Sequence, residues 1–301
     1  MSVNVNSDGA AALLTLLHGA PELRATPTEL RLQFEAGRSP EEVLELPDPS
    51  QILAEDRSDE LAAASTQIEE WSSNGIQVLT PFSGTYPMQL RTVFDYPLFL
   101  FARGHVKHDP RSVAIVGSRD VTSRGLAFAS ALARRLAGAG VTIVSGLARG
   151  VDGAAHEAAL RAGGRTVSVL GNGLNRVYPS EHRELQEIIA ESGLLISQFL
   201  PNETPTKRSF PARNVTMSAY SSITAIVEAA ERSGTRIQAD AAIKHGRPLI
   251  ISEQVAETTT WGARYAAGSF DVTVVPSPDA AADAALGILE RIESPAVALA
   301  G

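Results

Sequence analysis

The chain has no cysteine, no lysine in its first 75 residues, and no apolar run long enough to cross a membrane. Without cysteine there is no thiol nucleophile, no cysteine-ligated zinc and no disulfide, so the folded state rests on packing. No apolar stretch approaches the ~18–20 residues a membrane-spanning helix needs, and residues 1–20 lack the basic start of a signal peptide. The expected location is therefore the cytoplasm, with no membrane partner. Hydrophobic residues at 44% and charged residues at 20% of 301 positions exclude a collagenous or wholly disordered chain.

The formal net charge of −8 speaks against a polyanionic partner until it is divided along the chain. Residues 1–75 carry 4 Arg against 14 acidic residues, residues 76–270 carry 21 basic against 15 acidic, and residues 271–301 carry 1 against 5. The acidity belongs to the two ends. The middle is moderately basic and compatible with a polyanion if its cations share one face.

Short apolar groups around Leu13, Val43 and Ile52, separated by Pro27, Pro40, Pro47 and Pro49, predict a small helical domain over 1–68. Thr26-Pro27-Thr28-Glu29 and Ser39-Pro40-Glu41-Glu42 have the hydroxyl, proline and carboxylate order of helix starts. Residues 69–106 predict a connector with one or two strands that packs on the next domain. From residue 107 to 276, seven short β-branched runs beginning VAIVG (113–117) and ending DVTVVP (271–276) alternate with helical stretches. That alternation specifies an α/β fold, an extended Rossmann-like, doubly wound and mostly parallel sheet. Residues 277–301 predict a C-terminal helix, started by Ser277-Pro278, and a tail.

Ligands of such sheets bind beyond the carboxyl ends of the strands, so the loops there carry the functional reading. GSRDVTSRG after the first regular strand offers Gly117 for close backbone approach, the Ser118 hydroxyl and the Arg119 guanidinium, an anion site in outline. Its glycine spacing is not that of G-x-G-x-x-G, and a turn glycine beside a surface arginine is the plainer alternative. In SGLARGVDGAAHEAAL, Asp152 and His156 stand one helical turn apart, but no third ligand or nucleophile accompanies them. Asp152 is expected to cap the helix and His156 to be structural. LGNGLNRVYPSEHREL places Tyr178 at a loop closure and Ser180 as a cap. Residues 199–222 predict a long loop with Lys207, Arg208 and Arg213 around Phe210, and Asn214 beside them. Cations for phosphates and a ring for a base are what a single-strand binder needs; a basic loop whose phenyl ring plugs the core stays equally open. Ser233-Gly234-Thr235 is a further helix start able to meet a phosphate.

Taken in order, GSR (117–119), SGLARGVDGAAHEAAL (145–160), LGNGLNRVYP (170–179), FPARN (210–214) and VEAAERSGT (227–235) resemble the DprA/Smf family of DNA-processing proteins. The resemblance covers about residues 69–275. It implies an extended Rossmann domain that binds single-stranded DNA, forms a homodimer, protects incoming DNA and helps load the RecA recombinase in natural transformation, with no general catalytic role and no cofactor or metal. Carried over by position, it implies a DNA pocket lined by Arg119, Lys207 and Phe210, with Arg213 close by. Val215, Gln198, Gln238-Ala239 and Ser252-Glu253 depart from the family pattern, which puts one phosphate contact and some loop geometry in question. Two readings from other classes stand beside it: a phosphoribohydrolase-like nucleotide-processing enzyme, whose glycine-rich P-G-G-x-G-T-x-x-E segment is absent here, and a nucleotide-sensing Rossmann protein.

Overall fold

The computed structural model describes residues 9–19, 24–46 and 57–294. Pro47, Pro49, Ile52, Leu53 and the tail from 295 onward lie outside the described residues. Four helices come first: α1 (Ala10–His18), α2 (Pro27–Glu35), α3 (Pro40–Leu44) and α4 (Ser58–Ser73). Both expected starts are capping boxes, in which Thr26 accepts from the Glu29 N–H and Ser39 from the Glu42 N–H while each glutamate accepts from the cap residue's backbone. The helices hide Leu13, Leu30, Leu44 and Ile68 in one cluster with Phe99, Phe101 and Leu195. They therefore share a core with the sheet.

The sheet has nine strands: β1 (Gln77–Leu79), β2 (Leu100–Gly104), β3 (Ser112–Val116), β4 (Thr142–Ser145), β5 (Thr166–Val169), β6 (Leu194–Ser197), β7 (Ile223–Ile226), β8 (Leu249–Ser252) and β9 (Val272–Val275). Their order is β1-β2-β6-β5-β4-β3-β7-β8-β9. From β6 to β9 every pairing is parallel, with Val113 opposite Ile223 across β3 and β7. β1 and β2 run antiparallel at one edge. Residues 69–106, expected to pack on the sheet as a connector, thus supply two of its strands.

The connecting helices are α5 (Ser123–Gly138), α6 (Val151–Arg161), α7 (Arg183–Ser192), α8 (Ser209–Tyr220), α9 (Thr235–Lys244), α10 (Glu253–Thr258), α11 (Thr260–Ala267) and α12 (Pro278–Glu293). One sheet face, with Val116, Val144 and Ile226, packs on Met217, Tyr220 and Ala239 of α8 and α9. The other, with Val113, Ile115 and Ile143, packs on α5, α6 and α12 through Leu132, Ala155 and Leu289. Because β4 lies on one side of β3 and β7 on the other, the chain order reverses there, which opens a crevice above the strand ends.

Two expectations are corrected. Residues 209–220, read as part of a long loop, form α8: Thr206 and Ser209 exchange N–H to hydroxyl hydrogen bonds at its start, and Pro211 sits in the first turn, where no N–H is needed. Its inward face includes Arg213, Asn214, Thr216 and Ser218, so the apolar period that announces a buried helix is missing. Ser180 does not cap a helix; a short 3-10 turn at Ser180–His182 leads into α7 without a side-chain cap.

Candidate nucleic-acid interface

The first wall of the crevice is the exit of β3. A Cβ on Gly117 would lie 2.5 Å from the Val151 side chain and 2.9 Å from the Glu228 carbonyl oxygen, so only glycine lets the chain pass between α6 and the end of β7. The Ser118 N–H donates to the Glu228 carbonyl at 2.8 Å, and the Ser118 carbonyl accepts from the Val151 N–H at 3.3 Å. These bonds fix the loop on both sides and leave Arg119 exposed at the mouth.

Arg213 has a different position from the one phosphate binding at the surface requires. It is 5% exposed, and one guanidinium nitrogen donates to the Val169 carbonyl at 3.0 Å. A Cβ on Gly146 would fall 1.3 Å from the guanidinium, so that glycine makes room for a buried cation. Burial pulls the Arg213 pKa down, against the neighbouring charge of Asp152, and burial likewise pushes the Asp152 carboxyl up while Arg213 opposes it. Asp152 does not cap α6, as expected of it. Its carboxylate reaches back to accept from the Gly146 and Ala148 N–H groups at 3.1 and 3.3 Å, which holds the loop where Leu147 has a φ of 57°. His156 is fully buried and bonds Thr166 through Nδ1 at 2.7 Å. It stands away from the crevice as a structural residue.

Phe210 forms an inner wall, its ring so close to Gly171 that a Cβ there would lie 2.8 Å from it. The Arg119 guanidinium carbon sits 4.9 Å from the centre of that ring, and the Tyr178 ring 5.6 Å away at 45°. The resulting cavity holds about 580 Å³, enough for a nucleotide. Gly117, Ser118, Arg119, Lys207, Phe210, Arg213 and Asn214 all line it. Arg208 does not: it is exposed at the foot of α8, and adjacent side chains diverge where a helix begins.

The cavity also takes in Asp120, Asp152, Arg232, the 233–235 start of α9, and Gln238. Arg232 and Gln238 were not selected from sequence as site residues. The one available signal is spacing, since Thr235 and Gln238 stand three apart and share a face of α9. Tyr178, left between packing and binding, is at the ring of Phe210.

The fold and crevice define a Rossmann-like α/β protein whose strand ends gather cations around an aromatic ring. A family model, DNA recombination-mediator protein A, matches residues 77–268, more than half the chain, and the chain belongs to that family. It is 35% identical over 181 residues to the DNA processing protein DprA of Bacillus subtilis, covering 60% of this chain and 61% of that protein. It is 42% identical over 167 residues to protein Smf of Escherichia coli, covering 54% of this chain and 44% of that one. The matched region thus spans less than two thirds of either relative. Among solved structures, DNA processing protein A from Helicobacter pylori, described for its single-stranded DNA binding mode, superposes with a TM-score of 0.62 at 30% identity, covering 70% of this chain and 96% of that one.

Proposed function

We propose that this chain binds single-stranded DNA in the crevice between β3, α8 and α9, protects incoming strands and helps load the RecA recombinase during natural transformation. The observation that carries the reading is the Arg119 guanidinium over the Phe210 ring, in one cavity with Lys207. Arg119, Lys207 and Arg232 meet phosphates at the rim, Ser118 and the 117–118 backbone approach the strand, and Phe210 stacks on a base. Arg213 acts from beneath as a buried positive charge, Asn214 ties α8 to the start of α9 through the Gly234 carbonyl, and Arg208 reaches the strand only beyond the cavity. The family membership and the binding mode described for the Helicobacter pylori protein support the same ligand.

In this reading the protein is a cytoplasmic homodimer that works by binding, without turnover or cofactor. Residues 107–276 carry the DNA site, with the helical segment 1–68, the segment 69–106 and the C-terminal segment 277–301 around it. Gel-shift titration of a labelled single strand of ~20–60 nucleotides against the matching duplex, at two salt concentrations, tests it. Single-strand preference and affinity falling with salt are expected. Equal binding of duplex, or affinity indifferent to salt, overturns the proposal.

A further inference from the structure

The segment between β5 and α7 is fastened at many points and yet leaves an aromatic ring outside. Buried Asn172 donates from its carboxamide to the Gly173 and Arg176 carbonyls at 3.0 and 2.9 Å, and buried Gln186 donates to the Leu174 and Arg176 carbonyls at 3.3 and 3.2 Å. The Gly173 and Asn175 N–H groups donate to the Glu203 and Pro201 carbonyls, each at 2.9 Å, which ties the segment to the chain leading into α8. Pro179 is buried, whereas Tyr178 beside it is 41% exposed. The Tyr178 ring lies 5.6 Å from that of Phe210, whose other neighbour, the Arg119 guanidinium carbon, is 4.9 Å from the same centre. Tyr178 does not line the 580 Å³ cavity, so it carries the aromatic surface outward from the mouth. A ring left in water on a fixed loop, against the ring that walls a ligand cavity, is preorganised for a ligand and adds little to the core.

We propose that Tyr178 is a second stacking platform, which takes the base adjacent to the one at Phe210 as the strand leaves the cavity. Consecutive bases in a stacked helix lie parallel, whereas these two rings are tilted by 45°, so the bases they hold are splayed and the strand turns at the mouth. One phosphate links the two nucleotides, and Arg119, next to the Phe210 ring, is the cation placed to meet it. Every base has a π-face, so the second platform lengthens the footprint on the strand without adding a sequence preference. It also adds no charge. Its share of the affinity is therefore indifferent to salt, unlike that of Arg119 and Lys207.

This inference rests on the single-strand reading of the same cavity, and the experiment separates the two. The affinity for a labelled single strand of ~20–60 nucleotides is measured by fluorescence anisotropy, at low salt where binding is strongest, for the full chain, Tyr178→Ala, Tyr178→Phe, Phe210→Ala and the double variant Tyr178→Ala with Phe210→Ala. A loss of about tenfold is expected for Tyr178→Ala with an unchanged salt slope, and a change within about twofold for Tyr178→Phe, which keeps the ring. In the Phe210→Ala background, Tyr178→Ala is expected to cost a further loss of about tenfold, because a base stacked on Tyr178 does not need the other ring. Unchanged affinity in Tyr178→Ala, an equal loss in Tyr178→Phe, or no further loss in the double variant overturns the platform; the last of these makes Tyr178 a mere support for Phe210. Failure of the unsubstituted chain to bind the strand overturns the single-strand reading and this inference with it.

Discussion

Arg119 and Phe210 meet across the mouth of the crevice, the guanidinium 4.9 Å from the ring centre. One follows the first strand of the parallel sheet and the other belongs to a helix far along the chain, so the pair forms only when β3 and α8 are docked. In the proposed reading, a base stacks on Phe210 beside this cation, and a phosphate next to the base meets the charge. The two halves of the proposed single-strand site are thus built in contact.

Replacing the rim cations tests the electrostatic half. Arg119→Ala with Lys207→Ala is expected to weaken single-strand binding and to flatten the plot of log affinity against log salt by about 0.7 per lost phosphate contact. Titrations at four salt concentrations measure both quantities; an unchanged slope removes these residues from the interface.

Phe210→Ala addresses stacking. It is expected to weaken single-strand binding by about 1–3 kcal/mol while leaving the salt slope intact, because no ion is released when a ring is lost. The same titrations separate this from the effect of the cations.

Gly146→Ala is a stability prediction. The added methyl group overlaps a guanidinium that is buried and bonded to the Val169 carbonyl, so the side chain has to leave its place. A loss of about 1–3 kcal/mol is expected in urea unfolding. Gly163→Ala is the comparison: a Cβ there meets nothing within 4 Å, so whatever it loses reflects backbone strain at its φ of 68° and not overlap.

His156 supplies a pH dependence with a definite sign. Burial, reinforced by the charges of His182 and Arg213, takes its pKa from 6.5 down to about 3 in the folded protein. Between those values the unfolded chain binds a proton that the folded chain excludes. Its contribution is therefore undiminished above pH 6.5 and declines on acidification by up to about 1.4 kcal/mol per pH unit, levelling off near pH 3. Unfolding free energies of the unsubstituted chain and His156→Gln, compared from pH 7.5 to pH 5, check this; the variant is expected to have the shallower slope.

Much of the architecture was legible in one dimension. All seven β-branched runs read as strands lie in the parallel block of the sheet, where the strands from β3 to β8 are buried on both faces and so read as short, mostly apolar runs. The capping boxes at Thr26 and Ser39 were equally readable, since a cap is satisfied by residues three apart. Helix α8 was not. Its buried face is polar because it carries Arg213 and Asn214 beneath the cavity, and that removes the periodicity by which a buried helix is recognised.

Local sequence determined which segments become strands and helices, and it marked Arg119, Lys207 and Phe210, because short-range hydrogen bonds and side-chain chemistry act within a few residues. Only the tertiary structure decided that Arg213 is an interior charge beside Asp152 while Arg208 faces away, and that the Tyr178 ring lies against that of Phe210. Burial and pairing depend on which distant elements pack together, and that packing is set by the whole sheet.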